Sequence, residues 1–422
     1  MSRNWNSDQI RPLFERLYGA AADRAAGRFA EMESRFFSYF GEGDYRVFSA
    51  PGRSEIGGNH TDHNYGKVLA CAVSVDTVAF VRPTDSNVIR YRSAGYRGER
   101  EFVVDLADLS VQEKDTGSTN ALIRGVADRM HQLGYTVGGF DAYISSDVLR
   151  GSGLSSSAAF EVMIGAVLDG LYNAGDMSPV LRAQIAQYAE NVHFGKPSGL
   201  MDQTASSVGA LVTIDFEDPA KPVVERVDFD FTAAGMSLVV VDTGGNHANL
   251  TDAYASITQE MGAVAAYFGK EKLRQVGSET FFSRITELPG KVSDRAILRA
   301  IHFFNDNVRV EKEVEALKNG DVNTFLKNVV ESGESSWKLL QNLYVGGSAE
   351  QGLALALAVT EPILKDAGAW RVHGGGFAGT IQAFVPNSML SDYVKLMDAL
   401  FHEGAATALA IRPEGAIEIS VP

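Results

Sequence analysis

The sequence is nearly devoid of cysteine, since Cys71 is the only one among its 422 residues. A disulfide within one chain and a metal site built from several thiolates are therefore excluded. Cys71 lies in the apolar run "VLACAVSV". This setting predicts a buried structural thiol rather than a nucleophile.

Long apolar runs are also missing. No stretch approaches the roughly 18 uninterrupted apolar residues that a membrane-spanning helix needs. The first residues, "MSRNWNSDQIRPLFERLYG", lack the apolar core of a signal peptide. We therefore expect a cytoplasmic protein that has no membrane partner.

Positive charge is scarce, because 38 Lys and Arg residues face 53 Asp and Glu residues and the formal net charge is -15. This balance argues against binding to nucleic acid or to an anionic membrane, which requires clustered Lys and Arg. A phosphorylated small molecule remains compatible with the sequence, since a few local donors can hold phosphate within an acidic protein.

The pattern of apolar residues predicts a mixed α+β protein. Apolar residues make up 45% of the chain, and its length favours about two domains. We place them at residues 1–205 and 206–422. Helical spacing predicts a helix over about 8–40 and another over 118–134 that Gly134 closes. A further helix is expected to begin with Ser178 as its cap and Pro179 as its first residue.

The first of three glycine-rich segments is "APGRSEIGGNHTDHNYG". Polar and charged side chains are concentrated in eleven residues of it: Arg53, Glu55, Asn59, His60, Asp62 and His63. Each histidine taken alone is compatible with a structural role. A metal site is disfavoured, because His60 and His63 lack a helical ligand spacing and further partners. A loop that binds a polyol fits better, since a sugar needs several fixed donors and acceptors.

The second segment, "GSGLSSSAAFEVM", follows a predicted strand and opens an apolar helix. Glycines allow close backbone approach, and the free N–H groups and dipole of a helix N-terminus favour an anion. It is neither a Walker pattern nor a dinucleotide fingerprint. A capped helix after a glycine turn is the alternative, but three consecutive serines favour phosphate. The third segment, "HGGGFAGT", taken alone predicts a tight turn before a strand.

Taken together, these segments resemble the galactokinases of the GHMP small-molecule kinase superfamily. The first is similar to the family signature "GRxNxIGEHTDYNxG", the second to "PxGxGLSSSAA" and the third to "GGGFGG". Between them, "AENVHFGKPSGLMDQTAS" resembles the family segment that ends in Gly-Ile-Met-Asp-Gln. The resemblance implies a two-domain fold with the active site in the cleft between the domains. It also implies ATP-dependent phosphorylation of the anomeric hydroxyl of galactose, which yields galactose 1-phosphate and ADP.

The resemblance also implies roles for individual residues. Asp202 matches the catalytic base, and Arg53 matches the arginine that keeps this base ionised. Ser157 and Glu190, which lies twelve residues before Asp202, match the ligands of Mg²⁺. The residues matched to sugar contacts are Asn59, His60, Asp62, Tyr254 and Gly375. The residues matched to ATP binding are Gly151, Ser152, Gly153, Leu154, Ser155, Ser156, Ser157 and Ala158.

Several positions depart from the family pattern. Asn59 stands where the family has Glu, His63 where it has Tyr, and Glu55 where it has Asn. These changes leave open a related sugar as substrate, namely galacturonate, arabinose or N-acetylgalactosamine.

The segment "STNALIRGV" lacks the aromatic residues that neighbour the nucleotide base in the family, so the adenine pocket is expected to be built differently. A non-catalytic sensor of sugar and ATP is the alternative from another functional class.

Overall fold

The computed structural model describes residues 3–95, 99–148, 153–245 and 250–420. Its helices are α1 Arg11–Tyr18, α2 Ala22–Phe40, α3 Thr119–Gln132, α4 Ser156–Tyr172, α5 Pro179–Tyr188, α6 Met201–Val208, α7 Thr251–Tyr267, α8 Leu273–Val276, α9 Ser278–Ser283, α10 Asp294–Lys318, α11 Val322–Ser335, α12 Gly352–Leu364 and α13 Leu390–Leu400. Two π-helical turns follow α5 and α11 directly, at Ala189–Phe194 and Ser336–Leu340. No helix among the described residues is both long and apolar enough to cross a membrane.

The strands are β1 Arg46–Gly57, β2 Lys67–Pro83, β3 Val88–Ser93, β4 Glu101–Asp105, β5 Phe140–Ser146, β6 Leu211–Asp215, β7 Val223–Arg226, β8 Met236–Asp242, β9 Ala369–Val372, β10 Thr380–Pro386, β11 Ala406–Leu409 and β12 Ile417–Glu418. Within the described ranges they form an eight-stranded sheet and a four-stranded sheet. In the first, the order is β12-β1-β2-β5-β3-β4, and β6 and β7 extend from the other half of β2. In the second, the order is β11-β8-β10-β9.

Both faces of the first sheet are covered. One face packs against α3, α4 and α5, and the other packs against the aromatic side chains of α1 and α2. A further apolar cluster joins residues of β1 and β2 to residues of β8, α10 and α11. The two sheets are therefore connected through a shared core, and the expected α+β architecture is confirmed. The division at residues 205 and 206 stays a prediction, and β6 and β7, which follow it, are paired in the first sheet.

The local predictions are mostly confirmed. Ser178 accepts a hydrogen bond from the backbone N–H of Leu181, as expected of a helix cap. The helix expected over 8–40 is instead two helices, because Gly19 adopts φ +55 and ends α1. Cys71 is buried in β2, and burial raises the pKa of its thiol to about 12, as expected of a structural cysteine.

Candidate active site

The first glycine-rich segment begins within β1, and its Arg53 reaches two other parts of the site. The pairing of β1 with β2 shifts register between Pro51 and Arg53, and such a bulge re-aims neighbouring side chains. Arg53 is only 6% exposed. Its Nε donates a 2.7 Å hydrogen bond to Asp202 Oδ1, and its Nη1 donates to the carbonyl oxygen of Gly153. One guanidinium thus joins the first segment, the second segment and α6.

The loop between β1 and β2 is held in shape by Thr61. The hydroxyl of Thr61 lies 2.8 Å from the carbonyl oxygen of Gly58 and 2.6 Å from that of Lys67. Gly58 has φ +87, and a Cβ there would collide with the Lys67 carbonyl. Only glycine fits this position without strain. The loop is therefore a fixed support for the side chains that it carries.

His60 and Asp62 extend from this loop toward two different segments. His60 Nε2 lies 2.9 Å from the carbonyl oxygen of Gly375, and burial together with nearby His63 lowers the pKa of His60 to about 3. The ring is therefore neutral and donates through Nε2. The Asp62 carboxylate lies against the backbone of Gly199, where a Cβ would come within 2.7 Å of Asp62 Cγ. The loop thus contacts both the third glycine-rich segment and the chain that leads into α6.

The second segment forms the N-terminus of α4. Ser155 is the N-cap residue and adopts a left-handed conformation with φ +56, and Gly153 has φ +71. A Cβ at Gly153 would lie 2.7 Å from His373 Nδ1 and closer still to Thr380 Oγ1. The first-turn N–H groups of α4 have no partner within the helix and are directed toward the cleft at its N-terminus. The second and third segments therefore meet at Gly153 in a geometry suited to an anion.

Asp202 lies in the first turn of α6, and protein groups engage both of its carboxylate oxygens. Oδ1 accepts from Arg53 Nε, and Oδ2 accepts from the Ser155 hydroxyl. Burial would raise the pKa of Asp202, but the Arg53 charge and these hydrogen bonds outweigh burial and lower it below its ordinary value. The carboxylate is therefore ionised at neutral pH, and it keeps lone pairs for a further donor.

Glu190 is the second residue of the π-helical turn that follows α5, and it is almost fully buried. Its Oε1 accepts from Ser157 Oγ at 2.9 Å and from Lys196 Nζ at 2.9 Å. Its Oε2 accepts from Gln203 Nε2 at 2.8 Å, and the same nitrogen lies 3.3 Å from Glu161 Oε2. Burial and the charge of Glu190 raise the pKa of Glu161 well above its ordinary range, so Glu161 is uncharged. Ser157 and Glu190 thus offer two oxygen ligands at one point beside the α4 N-terminus.

The third glycine-rich segment closes the site from the side of the second sheet. Tyr254 donates through its hydroxyl to the carbonyl oxygen of Gly376 at 2.9 Å, and its ring meets that of Phe377 edge-on at 5.4 Å. A Cβ at Gly375 would lie 2.6 Å from Tyr254 Cε1. The segment is therefore packed tightly against α7, and this contact explains the glycine at position 375.

Asn59 is fully buried, and protein groups occupy its whole amide. Its nitrogen donates to Glu55 Oε1 at 2.9 Å and to the carbonyl oxygen of Gly374 at 2.7 Å. Its oxygen accepts from Ser336 Oγ at 3.2 Å and from Asn342 Nδ2 at 2.9 Å. An amide makes about four such bonds, so none is left for a ligand. The amide of Asn59 thus holds the loop to its neighbours, and its contact with the sugar stays a prediction.

The structure brings most of the predicted site residues together around one cleft. The cleft is bordered by Arg53, His60, Asp62, Gly153, Ser155, Ser157, Glu190, Asp202, Tyr254 and Gly375. Leu154 and Ala158 are buried beside it, and the Leu154 carbonyl accepts from the Arg53 backbone N–H at 3.1 Å. Ser156 is the first residue of α4. The predictions for Gly151 and Ser152 lie outside the described residues.

Sequence reasoning missed several residues that support the site. Lys196 and Gln203 bind Glu190, although both belong to the quoted stretch "AENVHFGKPSGLMDQTAS". Arg371 Nη2 donates to Glu55 Oε1 at 2.7 Å, and both groups are buried. His373 Nε2 lies 3.0 Å from Ser54 Oγ. The positions of Lys196 and His373 within quoted motifs were a signal for them, whereas nothing in the sequence linked Glu55 to Arg371.

Comparison with known proteins identifies the family of this fold. Residues 34–83 match the family model described as the galactokinase galactose-binding signature, and residues 121–210 match that of the GHMP kinases N-terminal domain. The galactokinase of Streptomyces coelicolor is 31% identical over 373 residues, which cover 87% of this chain and 91% of that protein. The chain belongs to the galactokinase family. It is accordingly a sugar kinase, and its phosphoryl donor is ATP.

Solved structures agree with this family assignment in their fold. The galactokinase of Lactococcus lactis, crystallised with galactose, superimposes with a TM-score of 0.81 at 23% identity and covers 93% of this chain and 100% of its own. A mevalonate kinase from Methanococcus jannaschii gives a TM-score of 0.62 at 12% identity and covers 88% of this chain and 99% of its own. The GHMP kinase fold expected from the sequence is therefore confirmed.

Proposed function

We propose that the chain transfers the γ-phosphoryl group of ATP to the anomeric hydroxyl of galactose and releases galactose 1-phosphate and ADP. The observation that carries this proposal is the arrangement of Asp202 between Arg53 and Ser155, where the first glycine-rich segment meets the α4 N-terminus. The match of residues 34–83 to the galactose-binding signature supports galactose as the sugar, because Arg53, His60 and Asp62 lie within it.

The chemistry follows from the charge of Asp202. Its ionised carboxylate accepts the proton of the anomeric hydroxyl as the hydroxyl oxygen attacks the γ-phosphorus. The bond from this phosphorus to the oxygen that bridges the β- and γ-phosphates breaks, and ADP leaves with the bonding electrons. Arg53 keeps Asp202 ionised and offsets negative charge on the transferred group. Since such a transition state is loose, positioning and charge neutralisation supply most of the catalysis.

The nucleotide phosphates fit the N-terminus of α4. The backbone N–H groups of the first turn, at Ser156, Ser157 and Ala158, are available there, and the helix dipole favours negative charge. The left-handed residues Gly153 and Ser155 turn the chain into this helix. We assign the ATP phosphates to this loop.

Mg²⁺ fits the oxygens of Ser157 and Glu190, because hard cations prefer oxygen ligands and Mg²⁺ retains water and phosphate ligands. Among the described residues, no group of three or more His, Cys, Asp or Glu side chains could hold a metal. Ser157 Oγ and Glu190 Oε1 would therefore hold Mg²⁺ together with the nucleotide. When bound, Mg²⁺ neutralises the charge of the phosphates.

The sugar is assigned to the space beside His60, Asp62, Tyr254 and Gly375. His60 and Tyr254 also fix the third segment through Gly375 and Gly376, so they both shape the pocket and border it. We further propose that residues 1–205 and 206–422 form the two domains that border the cleft. We place the enzyme in the cytoplasm, where a sugar kinase has access to ATP.

The test is ADP release from Mg-ATP with galactose, N-acetylgalactosamine, arabinose, galacturonate and glucose, with Asp202→Asn as the control. We expect selective turnover of galactose that the control abolishes. Preference for another of these sugars would replace galactose as the substrate and direct attention to Asn59 and His63. Binding of sugar and ATP without turnover of any sugar would overturn the enzyme assignment and indicate a sensor.

A further inference from the structure

Lys196 occupies an unusual place beside the nucleotide site. Its Nζ donates a 2.9 Å hydrogen bond to Glu190 Oε1, the same atom that accepts from Ser157 Oγ. The π-helical turn produces this geometry, because its wide backbone ring returns the chain toward Glu190. Gly195 ends the turn with φ +84, and the Lys196 backbone N–H donates to the Glu190 carbonyl oxygen at 3.1 Å.

Two ion pairs hold the charged groups next to this lysine. Glu190 and Asp202 are the nearby anions, and Arg53 and Lys196 are the cations that pair with them. A nucleotide triphosphate that enters the cleft adds several negative charges, and the cations must then be shared with it.

The bond between Lys196 and Glu190 competes with metal binding. The Glu190 oxygen that Lys196 holds is one of the two ligands assigned to Mg²⁺, so the ammonium group must leave it when Mg-ATP binds. The Lys196 side chain is free to move, since 59% of it is exposed and its four-carbon stem is flexible. Asp202 is already paired with Arg53, so the released ammonium can pair with the nucleotide phosphates at the α4 N-terminus.

We propose that Lys196 is a phosphate-binding residue whose ammonium group pairs with Glu190 in this structure and moves to the phosphates of ATP when nucleotide binds. The proposal rests on the proposed function, because it takes ATP as the nucleotide and the α4 N-terminus as its phosphate site. It assigns to Lys196 a contact with the phosphates that adds to those of Arg53 and the backbone.

Direct titration of ATP in the presence of EDTA tests this role without reference to sugar phosphorylation. Lys196→Met keeps the length of the stem and removes the charge. We expect its affinity for metal-free ATP to fall about tenfold or more, since a hydrogen bond to a charged group is lost. Lys318→Met is the matched control, because Lys318 is exposed to a similar degree and pairs with Glu225 of β7 rather than with a site residue. We expect it to bind ATP as the unmodified protein does.

A double-mutant cycle separates a phosphate contact from a merely structural ion pair. Glu190→Gln removes the partner of Lys196 and also a negative charge beside the phosphates, so metal-free ATP should bind several-fold more tightly to this variant. The gain should be smaller in Glu190→Gln with Lys196→Met, where no ammonium group is released. Equal ATP affinities for Lys196→Met and the unmodified protein would overturn the proposal, as would a gain of the same size in the double variant. These titrations detect only nucleotide binding, so a failure of galactose turnover leaves their result unaffected.

Discussion

Arg53 and Asp202 are 149 residues apart in the chain, and a 2.7 Å hydrogen bond between Nε and Oδ1 joins them in the cleft. Arg53 comes from a bulged part of β1, and Asp202 comes from the first turn of α6. The pair fixes these two elements relative to each other. It also determines the charge of the group that accepts the substrate proton, so its electrostatics can be tested by substitution.

Asp202→Asn should abolish proton acceptance with little change of structure. The amide oxygen can still accept from Arg53, so we expect the fold to be retained, but the thermal unfolding temperature should fall because the buried Arg53 loses its counter-charge. Loss of a positioned base typically lowers kcat about 10²- to 10⁴-fold. Steady-state ADP release measures kcat, and calorimetry measures unfolding. A kcat within tenfold of the original value in a folded variant would contradict the assignment of Asp202 as the base.

Replacement of Arg53 should change the pH dependence of catalysis. Arg53 helps to lower the pKa of Asp202, so kcat should decline only below the ordinary titration range of an aspartate. In Arg53→Met the pKa of Asp202 rises, and the acidic limb of the pH profile should move to higher pH, with a lower plateau. The measurement is kcat between pH 4 and 8.

Arg90→Met is the matched control for this experiment. Arg90 Nε also donates a 2.7 Å hydrogen bond to an aspartate, Asp141, but this pair lies between β3 and β5. We expect its pH profile to coincide with that of the unmodified enzyme. An unchanged acidic limb in Arg53→Met would mean that Arg53 does not control the ionisation of Asp202.

The sequence was sufficient to predict the motifs and the caps, because both depend on residues close together in the chain. The N-cap role of Ser178 and the functional loops were predicted in this way, and the structure brings Asp202, Arg53 and the serine loop together. The break between α1 and α2 was missed, since the helical spacing of apolar residues continues across Gly19, whereas the backbone of Gly19 leaves the helical conformation.

Contacts that depend on tertiary packing could not be predicted. Asn59 was expected to bind the sugar because of its place in a motif. Its four partners come from Glu55, Gly374, Ser336 and Asn342, and three of these lie more than 270 positions away along the chain. Likewise, the pairing of Lys196 with Glu190 depends on a π-helical turn, for which the sequence offers no periodic signal.

Gly153→Ala should impair both stability and activity. The residue has φ +71, and the added Cβ would press on His373 and Thr380, so the second and third glycine-rich segments would be forced apart. Left-handed backbone alone costs an alanine about 1 to 2 kcal/mol. The steric conflict should add about 1 to 3 kcal/mol. Chemical denaturation measures the loss of stability. We also expect kcat/KM to fall at least about tenfold, because the second glycine-rich segment moves.

Gly320→Ala separates the cost of the left-handed backbone from the cost of the steric conflict. Gly320 has φ +70, and a Cβ there would meet no atom within 4 Å. This variant should show the backbone cost alone and retain full kcat/KM. Equal losses of stability in the two variants would show that the contact of Gly153 with His373 and Thr380 is not tight.

Glu55 gives the stability of the protein a specific pH dependence. Burial outweighs the charges of Arg371 and Arg53 and raises the pKa of Glu55 from 4.5 to about 7. Between these values the folded protein binds this proton more tightly than the unfolded chain, so the contribution of Glu55 to stability falls as pH rises to about 7 and is constant above it.

Glu55→Gln tests this dependence, because its side chain does not titrate and its contribution to stability does not fall with pH. Urea denaturation at pH 4.5 and pH 8 measures the unfolding free energy of both proteins. From the lower to the higher pH, the unfolding free energy of the variant relative to that of the unmodified protein should rise by up to about 3 kcal/mol. A difference in unfolding free energy that is the same at both pH values would mean that Glu55 is ionised throughout this range and that Arg371 fully compensates for its burial.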